Sequence, residues 1–169
     1  MEKLSIIIVS VLAIIILAII AFFFYRKKYR HIMHSEKYEN GTVKRTYTTL
    51  NGVMDGTESL FYPNGTIQSE ICWHMGTRLG PYTDYYENGK VKEKGENSPE
   101  GKVGEKSIYY PNGNINKSQK VKNGLPNGAF TVFFPNGKIY INGNYTEGEL
   151  SGDYVVYALD GSVKLKKTY

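Results

Sequence analysis

The pattern of apolar and polar positions divides the chain in two. From Leu4 to Tyr25 no residue is charged, and nothing is more polar than Ser5 and Ser10. At 1.5 Å per residue such a run makes a helix of roughly 33 Å, enough to cross a hydrocarbon core of about 30 Å. Phe22, Phe23, Phe24 and Tyr25 close it with rings suited to a headgroup interface. Beyond residue 36 short alternating segments take over. Val43, Tyr47 and Thr49 share one side of their segment while Lys44, Thr46 and Thr48 share the other; Ile67, Ile71 and Trp73 likewise oppose Gln68, Glu70 and Cys72. A period of two is the pattern of strands.

The strands repeat. Asn-Gly recurs at Asn40-Gly41, Asn64-Gly65, Asn88-Gly89, Asn112-Gly113 and Asn136-Gly137, and Asp160-Gly161 closes a series spaced by 24 residues. Two further glycine columns keep the period: Gly56, Gly80, Gly104, Gly128 and Gly152, and Gly52, Gly76, Gly124 and Gly148, where Glu100 is the missing member. Two residues after each turn glycine stands Val43, Ile67, Val91, Ile115, Ile139 or Val163. Pro63, Pro111 and Pro135 precede the Asn, and a Pro at the first central position favours a type I turn with a glycine bulge over a type I′ turn. Each unit thus reads as one β-hairpin.

Ahead of each turn lie two aromatic rows. Phe61, Tyr85, Tyr109, Phe133 and Tyr157 point to one face, and Tyr62, Tyr86, Tyr110 and Phe134 to the other. Equivalent positions in adjacent hairpins lie two strands apart, about 9.6 Å, too far for direct ring contact. The intervening strand must fill the gap, which predicts a one-layer or narrowly closed stack with the weakest units at its ends. The first row is also the candidate partner-binding ridge, although packing against the neighbouring unit is the stronger account of any single ring.

The pattern Tyr-Tyr-x-Asn-Gly-x-(Val/Ile), followed by Asn-Gly-x-x-x-Gly, resembles the bacterial variant MORN repeat, over about residues 36–165 in five full units and a partial sixth. Proteins of this kind include the YwqK-family antitoxin component group. The resemblance implies an antiparallel β-repeat scaffold without chemistry of its own, and by analogy an antitoxin or immunity role. Glu100, Ala158 and Asp160 depart from the pattern and put the regularity of the third and last hairpins in question. The fold class expected is all-β, antiparallel hairpin repeats of 24 residues preceded by one N-terminal transmembrane α-helix. Its parts are a tail 1–3, an anchor 4–25, a basic juxtamembrane linker 26–35, a repeat domain 36–165 and a tail 166–169.

Charge refines this picture. The chain carries 21 Lys+Arg against 16 Asp+Glu, a net +5. Arg26, Lys27, Lys28 and Arg30 hold four of the bases next to the apolar run, and Lys164, Lys166 and Lys167 hold three at the tail. Removing those seven charges leaves residues 35–163 at −2. A mildly acidic body lacks the basic stripe that neutralises phosphates, which argues against nucleic acid. The basic cluster instead suits topology and anionic headgroups, and positive-inside places the repeat body in the cytoplasm. Ala21 is followed only by bulky aromatics, so an uncleaved anchor is expected rather than a signal peptide.

Catalytic candidates are thin. Cys72 and His74 sit two apart on one strand side without companion ligands, and zinc needs three or four. His31 and His34 would share a face on a helix but read as solvated surface residues. One Cys excludes a disulfide framework. No phosphate loop, metal, cofactor or convergent acid and base is expected. The leading function is a membrane-anchored, non-catalytic scaffold holding a protein partner; the alternative is a lipid-associated membrane-surface module.

Overall fold

The computed structural model describes the backbone of residues 2–28 and 30–169, and the side chains of 11–25 and 30–169. One helix, α1 (Glu2–Lys28), precedes thirteen strands. These are β1 (His31–Lys37), β2 (Val43–Leu50), β3 (Val53–Met54), β4 (Gly56–Phe61), β5 (Ile67–His74), β6 (Thr77–Tyr85) and β7 (Val91–Ser98). There follow β8 (Gly101–Tyr109), β9 (Ile115–Lys122), β10 (Leu125–Phe133), β11 (Ile139–Thr146), β12 (Glu149–Tyr157) and β13 (Val163–Thr168). All belong to one antiparallel sheet in chain order, with the two-residue β3 pairing beside β2. The expected anchor 4–25 falls partly on side chains outside the described residues. Among the described residues no helix is long and apolar enough to cross a membrane.

Two turn chemistries alternate along this meander. At the Asn-Gly turns the glycine N–H donates to the carbonyl three residues back, as in Gly65 to Tyr62 at 2.9 Å, and Tyr62 N–H donates to Thr66 O at 2.8 Å. The register shifts at Leu60/Phe61, so this is the expected type I turn with a glycine bulge. Asn64 Oδ1 accepts the Thr66 N–H, closing the turn from its side chain. The same bonds recur at Ala158, Asp160 and Gly161, so the sixth hairpin is complete despite its substitutions. The third glycine column makes the other turn. Asn51-Gly52, Met75-Gly76, Asn123-Gly124 and Glu147-Gly148 all have positive φ at both positions, which is type I′ geometry. Around Glu100 the strands still pair, Ser98 opposite Gly101, so the third unit also remains a regular hairpin.

Gly89 exemplifies the bulge. Its φ is +79°, and a Cβ there would meet nothing within 4 Å. The obstacle to a side chain is therefore conformational, about 1–3 kcal/mol for a β-branched residue. Gly89→Val is expected to lower the thermal midpoint more than Lys90→Val, and more than Gly161→Val in the terminal hairpin. Equal losses at 89 and 90 in melting curves would sink the turn assignment.

The sheet extends beyond the expected repeat limits. β1 takes up His31–Ser35 of the anticipated linker, and β13 takes up residues 166–168 of the anticipated tail. The fold is one layer, and its core is small: Tyr82, Val121 and Phe130 are buried, together with the polar Thr49, Glu58, Ser69 and Ser107. All of these except Ser107 lie on the side of Ile71 and Trp73, which we call the inner side; Ser107, with Thr83 and Lys94, lies on the opposite side.

Candidate interaction surface

The second aromatic row is a structural ladder. Tyr38 Oη donates to Phe61 O at 2.7 Å, Tyr62 to Tyr85 O at 2.8 Å, Tyr86 to Tyr109 O at 2.7 Å and Tyr110 to Phe133 O at 2.7 Å. Each phenol reaches one hairpin ahead and ties its neighbour down where the turn interrupts the strand. Phe134 has no hydroxyl and instead packs on Tyr140 with centroids 4.7 Å apart. Replacing Tyr86 by Phe deletes one bond and is expected to cost about 1 kcal/mol. Denaturant titration followed by the single Trp73 measures it; no loss would mean that the ladder bonds carry no stability.

The candidate ridge Phe61, Tyr85, Tyr109, Phe133 and Tyr157 is half-buried throughout. Its carbonyls at Phe61, Tyr85, Tyr109 and Phe133 receive the ladder. Its side chains make further contacts, with Tyr85 Oη donating to Glu70 Oε2 at 2.7 Å and the Lys94 ammonium 5.6 Å from the Tyr109 ring centroid. The bond to Glu70, together with burial, raises the Tyr85 pKa. Tyr109 also lines a groove of about 670 Å³ with Pro81, Thr83, Lys94, Glu105 and Ser107. A smaller groove of about 230 Å³ continues from Pro81 and Thr83 to Glu70 and Cys72. Across the strands the register sets Glu70 beside Thr83, Thr83 beside Lys94, and Lys94 beside Ser107. The result is a polar trough bordered by aromatic rings.

The inner side holds a charged strip that the sequence reading did not anticipate. Arg45 donates to Glu58 at 2.7 Å and to Glu36 at 3.2 Å, and Trp73 Nε1 donates to Glu58 at 2.8 Å. Glu93 receives Tyr82 Oη at 2.7 Å and Lys102 Nζ at 2.8 Å on one oxygen, and Lys106 Nζ at 2.9 Å on the other. Burial alone would raise the Glu93 pKa, but these three donors outweigh it and hold it at about 2. Burial pushes Tyr82 up to about 12, with Lys102 opposing and Glu93 adding. Further along, Lys117 stands 5.1 Å from the Phe130 centroid and 5.7 Å from that of Tyr145. Burial and then nearby Lys106 lower its pKa. The signal for this strip was available only as scattered charges in two columns of the repeat, Arg45, Glu93 and Lys117 in one and Glu58 and Lys106 in the other, which alternation alone assigns to no partner.

His31 is exposed, as expected of a solvated residue, whereas His34 is half-buried, and both lie on a strand rather than a helix. On strand β1 a spacing of three separates His31 and His34 instead of aligning them. His31 Nε2 lies 3.0 Å from Asp55 Oδ1, whereas His34 bonds Thr49 at 2.9 Å and stacks on Tyr47 at 4.7 Å. His74 approaches the other Asp55 oxygen at 3.5 Å and Met75 N–H donates to it at 3.1 Å, so Asp55 gathers two of the three histidines. Bonds from His31 first, then Met75, lower the Asp55 pKa. Cys72 is a free, half-buried thiol. Among the described residues no group of three His, Cys, Asp or Glu is arranged to hold a metal ion. The side chains of Arg26, Lys27 and Lys28 lie outside the described residues, and Arg30 is exposed.

Comparison with known proteins identifies the repeat. The family described as the MORN repeat variant matches at residues 54–74, 78–96, 102–123 and 126–147. No curated protein gives a significant match. Among solved structures, a protein of unknown function from Bacteroides fragilis NCTC 9343 aligns over 86% of this chain and 96% of its own, at 9% identity and a TM-score of 0.19, a likeness too slight to carry an argument. Neither finding speaks of an antitoxin. The family matches begin at β3 and end in the turn after β11, leaving the first and last hairpins to be recognised by their turn bonds. The chain therefore carries four copies of the MORN repeat variant at the centre of a six-hairpin sheet.

Proposed function

We propose that the chain is a non-catalytic scaffold tethered to a bilayer by its N-terminal helix, with the polar trough and the row Phe61, Tyr85, Tyr109, Phe133 and Tyr157 offered to a protein partner. One observation carries the tether: every described side chain of α1, from residue 11 to 25, is exposed, and these are Val, Leu, Ala, Ile, Phe and Tyr on all sides. A helix apolar all round belongs in an apolar medium. The run Leu4–Tyr25 supplies the length, and Arg26, Lys27, Lys28 and Arg30 supply the positive-inside signal for a cytoplasmic sheet. An antitoxin or immunity component is the sharper form of this reading. No nucleic acid or cofactor is part of it.

Alkaline carbonate extraction tests the tether. The full chain is expected to stay in the membrane pellet, and release into the supernatant would refute the reading. A protease-sensitive C-terminal tag in inside-out vesicles is expected for a cytoplasmic sheet; protection would reverse the orientation. Photo-crosslinkers at Thr83 and Lys94 are expected to trap a protein more efficiently than one at Asn136. Equal labelling of lipid at these sites would favour a membrane-surface module instead.

A further inference from the structure

Connectivity decides which edge of the sheet meets the helix. α1 ends at Lys28 and β1 starts at His31, a gap that spans at most about 11 Å when fully extended. His31 pairs with Leu50, next to the Asn51-Gly52 turn. The helix therefore arrives at the edge formed by the type I′ turns. The Asn-Gly turns lie at the far ends of the strands, about 25 Å away along an eight-residue strand.

The exposed apolar side chains follow this polarity. Between residues 30 and 130 the large ones are Ile32, Met33, Val53, Met75, Leu79 and Leu125, exposed by 38% to 75%. All six lie at or within a few residues of the helix-side edge. Gly76 N–H donates to Met54 O at 2.7 Å, and Asp55 links His31 to Met75, so the first two type I′ turns form one bonded platform. Arg30 and Arg78 are exposed beside it. Past residue 130 the pattern is mixed. Ile139, Tyr140, Leu159 and Val163 are exposed toward the Asn-Gly edge, while the helix-side edge carries Glu147 and Glu149 together with the exposed Tyr169.

We propose that the type I′ edge of the first two hairpins, through Ile32, Met33, Val53, Met75 and Leu79, seats in the headgroup layer of the bilayer that holds the helix. The proposal rests on the tether reading and adds a second contact to it. A bilayer is the occupant because the helix delivers this edge to its surface, because apolar tips flanked by Arg30 and Arg78 match an anionic interface, and because the exposed apolar side chains of this edge are densest beside the helix.

The full chain in vesicles of phosphatidylethanolamine and phosphatidylglycerol tests this, with Cys72→Ser removing the native thiol. An environment-sensitive fluorophore is attached at Ile14→Cys, Val53→Cys, Met75→Cys or Asn64→Cys, and nitroxide-labelled lipid serves as quencher. Labels at 14, 53 and 75 are expected to be blue-shifted and quenched, and the label at 64 to be neither. Quenching at 14 with labels at 75 and 64 indistinguishable would overturn the seating while leaving the tether intact. An unquenched label at 14 would overturn both. A blue shift at 53 and 75 without quenching would mean that protein covers the edge, which also overturns the proposal. Met75→Glu should shift the label at 53 back toward its emission in water, whereas Asn64→Glu should leave it unchanged.

Discussion

Gly143→Val is expected to destabilise the sheet more than any turn substitution, and Gly143→Ala to do so measurably. The reason is steric. Gly143 pairs directly with Phe130 across β10 and β11, and a Cβ at this position would lie 2.5 Å and 2.7 Å from two ring carbons of Phe130 and 3.3 Å from Tyr154. Phe130 is 5% exposed and flanked by Tyr145 at 4.7 Å and Tyr154 at 6.4 Å, so the ring has no free direction in which to yield. Overpacking of this kind costs about 1–3 kcal/mol, and valine adds two further methyl groups. The same arrangement occurs two repeats earlier, where Gly95 pairs with Tyr82 and a Cβ would lie 2.9 Å from the ring. Where the first position is not aromatic its partner is large: Glu58 faces Ile71 and Lys106 faces Gln119. Glycine therefore occurs where a buried ring needs its space. Chemical denaturation of the full chain in detergent, followed by Trp73, gives the measurement. The double variant Phe130→Leu/Gly143→Ala should recover part of the loss through coupling between contacting sites. Wild-type stability for Gly143→Ala would remove the steric account.

Acid is expected to weaken the sheet in a step that Glu93→Gln abolishes. The folded Glu93 titrates at about 2, against an ordinary 4.5. A depressed carboxylate pKa means that the unfolded chain binds the proton first. The stabilisation is thus complete above about 4.5 and is lost as the pH falls through about 2. With the side chain 19% exposed, the contribution at neutral pH is about 2–3 kcal/mol. Glu93→Gln loses it at every pH and leaves Lys102 and Lys106 without their shared carboxylate, close to Lys117. Denaturant midpoints between pH 6 and pH 2.5 should decline steeply for the natural chain and weakly for the variant, a window estimated from the linkage relation at about these bounds. Parallel declines would place the acid sensitivity elsewhere, for instance at Asp55 or Asp153, whose pKa values are also lowered.

How much of this was legible follows from the distance over which each feature is specified. The turn with Pro63, Asn64 and Gly65 is readable because its cause lies within four residues: a fixed φ, a side-chain acceptor and a positive φ. The type I′ turns were less legible, since Met75 and Glu147 occupy a left-handed position that their side chains do not advertise. In the last hairpin Ala158 replaces an aromatic, yet the turn bonds use only backbone and the Asp160 carboxylate. The missing ring affects the ladder between units and not the hairpin itself.

The amino-acid sequence by itself determined the period, the strand alternation, the bulged turns and the apolar run ahead of the sheet, because each is set by neighbours in the chain. Only the tertiary structure decided what the two aromatic rows do. The row from Tyr38 to Tyr110 binds carbonyls of the next hairpin, 23 residues away in sequence. Nor could alternation show that the side bearing Ile71 and Trp73 also holds Arg45, Glu58, Glu93 and Lys102. Both sides of each strand mix rings with charges, so hydropathy does not rank them. The strand register, together with the close approach of Phe130 to Gly143 and Tyr82 to Gly95, decides which side chains lose water and which charges meet.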